Sequence, residues 1–355
     1  MGVDSTVIDA YGRRLENMRI SVTNECNYRC IFCHAEGDPS GAPSKPGGAL
    51  YPMKPDDYWI IAKAAYILGV RGFKLTGGEP LIRPDIAEIV SHIREAAPEA
   101  DISMTTNGYL LGLLASKLRD AGLDRLNISI HSLKPDRYEF ITGVSGLERA
   151  LKGLEAARDA GFKLIKINSV ILRGVNSDEV WDLIDLAARF GAMLQLIELH
   201  PVGLGAKFFE KYYYPLSKIE EQLRTKAERV VIRSMHNRAV YYLNGTAVEV
   251  VRPYGNPLFC AGCNRIRLLA EGLLSPCLNW SGPYVNVLDR IRAASTIEEK
   301  VQAAIEAILE TNTLRRPYLM WPIKIEGMLS CMPSRELPST RRARIGIPKK
   351  FRIRR

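Results

Sequence analysis

Arg19-Ile20-Ser21-Val22-Thr23-Asn24-Glu25-Cys26-Asn27-Tyr28-Arg29-Cys30-Ile31-Phe32-Cys33 sets the reading of the whole chain. Arg19–Thr23 reads as a strand, and it delivers a loop whose cysteines stand at C-x3-C-x2-C spacing. Three thiolates this close can take three irons of a cubane [4Fe–4S] cluster and leave the fourth iron without a protein ligand. An open iron can bind a small molecule and pass it an electron. The competing reading is a structural zinc knot with His34 as fourth ligand. Structural zinc sites are closed by four ligands, whereas three ligands and an open position mark catalysis.

Beyond that loop, strand and helix signals alternate. His34–Tyr51 is rich in Gly, Pro and Ser and reads as a loop. Strands are expected at Phe73–Thr76, Asp101–Thr105, Arg125–Ile130, Lys163–Leu172 and Met193–Leu199. Helices are expected at Pro55–Leu68, Pro84–Ala96, from Gly108 to about Ala121, at Leu147–Ala160, and at Ser177–Phe190 with Ser177 as cap. Six strand–helix units predict a parallel sheet with helices outside it. Six is short of the eight of a closed barrel, so the α/β fold expected is an open, partial (β/α)6 barrel. Cys26, Gly78, Thr105, Ser129 and His200 fall at or just after strand ends.

After Gly205 the pattern changes. The aromatic and basic run Lys207–Tyr214 suits a lid, a domain seam or a base-stacking surface. A helix from Pro215, short strands near Val230, Val240 and Val248, and helices at Val287–Ala294 and Thr296–Thr311 predict a smaller α+β domain. The expected division is 1–215 for the partial barrel, 216–330 for the C-terminal domain and 331–355 for a basic tail.

Composition bounds the class. The 355 residues are 46% hydrophobic and 25% charged, as in a soluble globular protein. No apolar run approaches the ~20 residues of a membrane span. Met1–Tyr11 has neither the basic start nor the apolar core of a signal peptide. Met1–Thr6 fits the loose myristoylation pattern, which without a second anchoring signal reads as chance. Six of the seven cysteines form two triplets and Cys331 is left over. In a large chain with no secretory signal, metal binding is favoured over disulfides, and a cytoplasmic, oxygen-sensitive protein is expected. The net charge is +10, but residues 334–355 hold nine Lys/Arg against one Glu. That run predicts a solvated end rather than a specific nucleic-acid interface.

The second triplet is Cys260-Ala261-Gly262-Cys263 with Cys277. An incomplete zinc ribbon, closed by Asn264, Asn279 or His236, is one reading. Against it, strand alternation puts Arg265 and Arg267 on one side, beside the cysteines. Two guanidiniums at a metal site call for an anionic ligand, because the arginine fork matches phosphate and carboxylate oxygens.

The first triplet, with Phe32 before its last cysteine, resembles the cluster motif of radical S-adenosylmethionine (SAM) enzymes, and Gly77-Gly78-Glu79-Pro80 resembles their SAM-contacting turn. The two triplets in this order, with Arg19–Thr23, Lys74–Pro80, Thr105–Gly108, Leu126–Ser129, Lys166–Asn168, Gln195–Glu198, Cys260–Leu268 and Arg315–Tyr318, resemble the GTP 3′,8-cyclase family of molybdenum cofactor biosynthesis. The resemblance runs from about Tyr11-Gly12-Arg13 to Tyr318. It implies a [4Fe–4S] cluster on Cys26, Cys30 and Cys33 and a second on Cys260, Cys263 and Cys277. It implies SAM against Phe32, Gly78, Ser129 and His200, and GTP against Arg19, Lys74, Thr105, Lys166, Arg265, Ile266 and Arg267. No catalytic residue beyond the clusters is assigned. The implied reaction takes the ribose 3′ hydrogen with a 5′-deoxyadenosyl radical and joins that carbon to guanine C8. Implied partners are a reducing electron donor and, by product handover, a cyclic pyranopterin monophosphate synthase; the chain is expected to act as a monomer or homodimer.

Departures from the family pattern are Gly72 where many members have lysine, Gln195 and Lys74 where many have arginine, and His200 where methionine is common. The chain also ends without the family's frequent Gly-Gly, which reads as a feature of its archaeal branch. The alternative reading is a radical SAM enzyme whose auxiliary cluster serves peptide modification; such enzymes usually carry more cysteines near the C-terminus.

Overall fold

A computed structural model of the protein describes residues 7–35 and 51–317. The first half runs β1 (Asn17–Ser21), α1 (Pro55–Ile67), β2 (Gly72–Thr76), α2 (Ile86–Ala96), β3 (Asp101–Thr106), α3 (Leu111–Asp120), β4 (Arg125–Ser129), α4 (Pro135–Thr142), α5 (Leu147–Asp159), β5 (Leu164–Ile171), α6 (Val180–Arg189) and β6 (Met193–Glu198). There follow α7 (Leu204–Tyr212), α8 (Ser217–Lys226), β7 (Arg229–Ile232), β8 (Ala239–Leu243), β9 (Thr246–Val251), α9 (Pro257–Ala261), β10 (Arg265–Leu268), β11 (Leu273–Ser275), β12 (Val285–Asn286), α10 (Val287–Ala293) and α11 (Ile297–Thr313).

β1 to β6 pair in sequence order, all parallel. The expected six-unit partial barrel is therefore the fold. Parallel strands buried on both faces carry near-continuous apolar runs, and β5 is buried over all but its first residue. Alternation then divides the faces. Ile20, Leu75, Met104, Leu126, Ile167 and Leu194 point into the hydrophobic core under the helices. Their neighbours Arg19, Lys74, Thr105, Asn127, Lys166 and Gln195 line a central cavity instead.

The later strands extend the same sheet at both ends. β9 pairs parallel with β6 and continues through β8 to β7, while β10 pairs parallel with β1 and continues through β11 to β12. Residue 215, the expected division, lies between α7 and α8, and the strands on either side of it belong to one continuous sheet. The two ends meet across the barrel opening. A 3₁₀ turn, Met235–Asn237, lies between β7 and β8, and its His236 N–H donates to Gly262 O at 2.7 Å.

Several local expectations shift. β1 starts two residues before Arg19, because Glu16 and Asn17 already hydrogen-bond to Asn264 at the adjoining edge. Ser177 does not cap α6, which begins three residues later after Glu179. The Glu179 carboxylate is occupied by Ser132 Oγ, Leu133 N and Arg137. α4 was not expected; Pro135 opens it and left-handed Gly143 closes it. The aromatic run at 207–214 is mostly inside α7 and packs Phe209 on Tyr213 and Tyr254. The myristoylation pattern at 1–6, most of the expected loop at 34–51, Cys331 and the basic tail lie outside the described residues.

Candidate functional site

A single cavity of about 420 Å³ runs along the inner face of the sheet. Both cysteine triplets line it, and so does every predicted site residue except Ile266. Ile266 lies between Arg265 and Arg267, so alternation turns its side chain into the core, where it is fully buried. Its backbone alone can face a ligand.

The first triplet sits in the loop after β1, and the Gly77-Gly78 turn braces it. Gly78 N–H donates to Thr23 O and Glu79 N–H to Glu25 O, each at 2.7 Å. A Cβ on Gly78 would stand 1.9 Å from Glu25 O, and one on Gly77, which has φ +151°, 2.4 Å from Thr23 O. The glycines therefore serve first the close approach of two backbones. Glu79, 1% exposed, does not reach for a ligand. It accepts from Leu81 N at 3.1 Å, Thr106 Oγ1 at 2.6 Å and Asn107 N at 2.7 Å. Burial pushes its carboxyl up to about 7 against those bonds.

The thiols fit a cluster. The six cysteines of the two triplets are free. Tyr28 N–H donates to Cys26 Sγ at 3.3 Å and Ala35 N–H to Cys33 Sγ at 3.4 Å. Burial, with Glu79 and Cys33 nearby, pushes the Cys26 thiol up to about 12. Such a thiol loses its proton to solvent readily only when a bound cation replaces it on sulfur. Among the described residues no three His, Cys, Asp or Glu side chains converge on one metal ion. A cubane places each thiolate on a different iron. Of the suggested zinc-closing residues, Asn279 bonds His200 at 3.0 Å; Asn264 gives its Nδ2 to Glu16 at 2.6 Å and His236 stacks on Phe259 at 3.9 Å, while Asn264 Oδ1 and His236 Nδ1 are buried with no hydrogen-bond partner among the described residues.

Phe32 and Ser129 face the cavity near His131, a residue the sequence reading missed although it lies just past a strand end. Its ring meets Phe32 edge-on at 4.8 Å. Burial lowers it to about 3, and its Nδ1 accepts from Val170 N–H at 3.2 Å. The ring is thus neutral with its proton on Nε2. His200 bridges the end of β6 to the loop after Cys277 through its bond to Asn279.

The second triplet is held from behind. Arg13 donates to Cys260 O at 3.1 Å and Arg315 to Cys263 O at 2.7 Å. Both guanidiniums share buried Asp9, at 2.8 and 3.6 Å.

Between the triplets the cavity wall is cationic. Register sets Arg267, Arg19 and Lys74 side by side on three adjacent strands. Burial, with Arg19, Arg265 and Lys166 nearby, lowers the Lys74 amine well below its ordinary value. Burial and Arg19 and Arg267 lower Arg265 to about 9. Like charges in register on one face destabilise a sheet unless an anion joins them. Thr105 Oγ1 is buried there with no hydrogen-bond partner among the described residues. Gly72 is explained by Asn17, whose Oδ1 would stand 2.2 Å from a Cβ at that position. The sequence reading also missed Glu249, which pairs with Lys166, and Arg233 and Arg238, which pair with Glu249.

Comparison with known proteins gives the same class. Residues 20–187 match the family model for the radical SAM superfamily, and residues 192–316 match the one for Molybdenum Cofactor Synthesis C. Among solved structures, Streptococcus suis SuiB bound to precursor peptide SuiA superposes with TM-score 0.57 at 14% identity, covering 84% of this chain and 68% of that one. Native anSMEcpe with bound AdoMet gives 0.50 at 14%, covering 80% and 79%. These likenesses show the fold. It is a radical SAM protein, a class that binds a [4Fe–4S] cluster and SAM.

Relatives narrow the class. "Probable GTP 3′,8-cyclase" from Aeropyrum pernix is 47% identical over 88% of this chain and 87% of its own length. The protein of that description from Sulfurisphaera tokodaii is 40% identical over 90% and 98%. The chain belongs to the GTP 3′,8-cyclase family of radical SAM lyases, which act at the first step of molybdenum cofactor biosynthesis.

Proposed function

We propose that the protein converts GTP to 3′,8-cyclo-7,8-dihydro-GTP, with methionine and 5′-deoxyadenosine released from SAM. The observation that carries the reading is one cavity lined by two cysteine triplets with the row Arg267, Arg19 and Lys74 between them. A row of cations facing a cavity suits a triphosphate.

In this reading Cys26, Cys30 and Cys33 hold the first cluster, and Phe32, Gly78, Ser129 and His200 bound the SAM site. Cys260, Cys263 and Cys277 hold a second [4Fe–4S] cluster that receives guanine. Arg19, Lys74, Thr105, Lys166, Arg265 and Arg267, with the Ile266 backbone, hold the nucleotide. When bound, the first cluster and SAM supply the 5′-deoxyadenosyl radical that takes the ribose 3′ hydrogen. The protein's own part is to fix the distance between ribose and SAM, to neutralise the phosphates, and to exclude water beneath the His200–Asn279 bridge. The enzyme works in the cytoplasm with a one-electron reductant and passes its product to a cyclic pyranopterin monophosphate synthase.

The test is anaerobic reconstitution with iron and sulfide, then dithionite, SAM and GTP. The expected result is about eight irons per chain, 5′-deoxyadenosine, and a cyclised guanosine nucleotide. Four irons, or SAM cleavage indifferent to GTP, would sink the reading. Arg265→Ala and Arg267→Ala should each cut cyclisation at least about a hundredfold while iron content holds. Full activity in both variants would refute their place in the site.

A further inference from the structure

We propose that Arg233 and Arg238, on the turn that bridges the barrel opening, bind the phosphate end of the nucleotide, with Glu249 as the carboxylate that holds them in place. The proposal rests on the GTP reading above and names residues that reading does not use.

Charge around Glu249 is unbalanced. Glu249 on β9 is fully buried. Its Oε2 accepts from Lys166 Nζ at 2.7 Å and from Gln195 Nε2 at 3.3 Å. Its Oε1 faces Arg233 Nη1 at 3.0 Å and Arg238 Nη2 at 3.3 Å. Three cations thus surround one carboxylate, an excess of two positive charges at the cavity wall. Lys166 and Arg238 are largely out of bulk water while Arg233 is a third exposed, and the buried part of that excess is costly unless an anion joins it. Glu249 cannot take more, since both oxygens already serve two partners.

Donor capacity points the same way. A guanidinium has five N–H donors in a fixed fork. Arg238 gives Nη2 to Glu249 and to Met235 Sδ at 3.6 Å. Its Nε is buried with no hydrogen-bond partner among the described residues. Arg233 and Arg238 both line the cavity, so their remaining donors have a ligand to meet there. Two charged forks with spare donors match the oxygens of a polyphosphate.

The turn also connects the charges into one surface. Met235, between the two arginines, receives Arg265 Nη2 at 3.3 Å on its sulfur. Arg265 stands beside the second triplet, two residues past Cys263. The cationic wall therefore continues from the proposed base end to Arg238 and Lys166. Gln195, uncharged, donates to Glu249 instead of offering a charge of its own. The hairpin supplies by tertiary approach what β6 lacks.

The experiment compares Arg233→Ala, Arg238→Ala and Arg238→Lys with wild type, each as anaerobically reconstituted holoenzyme. Equilibrium binding of GTP, GMP, ATP and AMP is measured without reductant, alongside iron content and SAM binding. Each alanine variant should weaken GTP roughly tenfold or more and GMP less than about twofold, with iron and SAM unchanged. Arg238→Lys should lose part of the effect, since it keeps the charge but not the fork. If GTP and GMP weaken together, or neither changes, the arginines only satisfy Glu249 and the proposal is overturned. If Arg238→Ala loses its iron, Arg238→Lys decides by the same ratio. Wild type that binds ATP as tightly as GTP refutes the guanine reading alone. The triphosphate-to-monophosphate ratio of either base still judges the arginines.

Discussion

Gly78 and Glu79 act on the chain itself before they act on any ligand. With Glu25 O only 1.9 Å from a Cβ at position 78, the turn cannot accept alanine without moving the cysteine loop. Gly78→Ala should therefore lose the iron of the first triplet and all SAM cleavage, while iron at the second triplet stays. Iron and sulfide analysis should fall from about eight irons towards four. Glu249 offers a test of another kind. Burial alone would raise its carboxyl, but Arg238, Lys166 and Arg233 together pull it from 4.5 down to about 2. A carboxylate with a depressed folded pKa gives stability that is full above its unfolded value and is lost as pH falls through the folded one. That contribution, about 3 kcal/mol at neutral pH, should fade between pH 4.5 and 2. Urea unfolding of the cluster-free chain should show this acid limb in wild type and a flatter one in Glu249→Gln.

At the scale of elements, the connection after β2 is held by one buried cation. Arg83 is 1% exposed and lies in the Pro80–Ile82 3₁₀ turn's exit. Its guanidinium donates to Val22 O at 2.6 Å, Met53 O at 2.7 Å and Tyr58 OH at 3.1 Å, and pairs with Asp85 at 2.7 Å. It thus ties the end of β1, the approach to α1, and α1 itself to the turn that braces the cysteine loop. Arg83→Leu strands two buried carbonyls and unpairs Asp85. It should cost about 3 kcal/mol, read as a lower urea midpoint with unchanged slope. Helix ends are set more locally: Thr296 and Glu299 form a capping box on α11, and Asn286 caps α10.

Across the described residues, the fold is closed by contacts between residues far apart in sequence. Arg315 follows α11, yet it donates to Arg13 O and Arg14 O near the start and to Cys263 O in the second triplet. Asp9, Arg13 and Arg315 form a buried knot behind that triplet. Arg315→Ala should selectively loosen the second cluster proposed above. Reconstituted iron should approach about four per chain, with SAM still bound at the first triplet and GTP binding lost. Retention of all iron would assign the knot to general stability alone.

Much of this was legible in the chain. Hydrophobic residues separated by Gly and Pro gave six strand–helix units, because each strand buries an apolar face under the helices and a turn needs its own residue types. Cysteine spacing gave Cys26, Cys30 and Cys33 and the Cys260–Cys263 pair, because thiolates that share a cluster from one loop must be close in sequence; Cys277 is returned to that pair by the β10–β11 hairpin. Alternation put Arg265 and Arg267 on one face; Ile266, expected in the GTP site, has its side chain turned away into the core. What the sequence left open depended on approach between distant segments. Glu249, Arg233 and Arg238 carry no local pattern, and they matter only because β9 pairs with β6 and the β7–β8 turn crosses the opening. The same holds for His131 against Phe32 and for Asp9 and Arg315 behind Cys263. Local spacing and periodicity are written along the chain and fix elements and loop ligands. The charge a buried group meets is fixed by packing, and so the tertiary structure alone decided which cations share a carboxylate and which remain for a ligand.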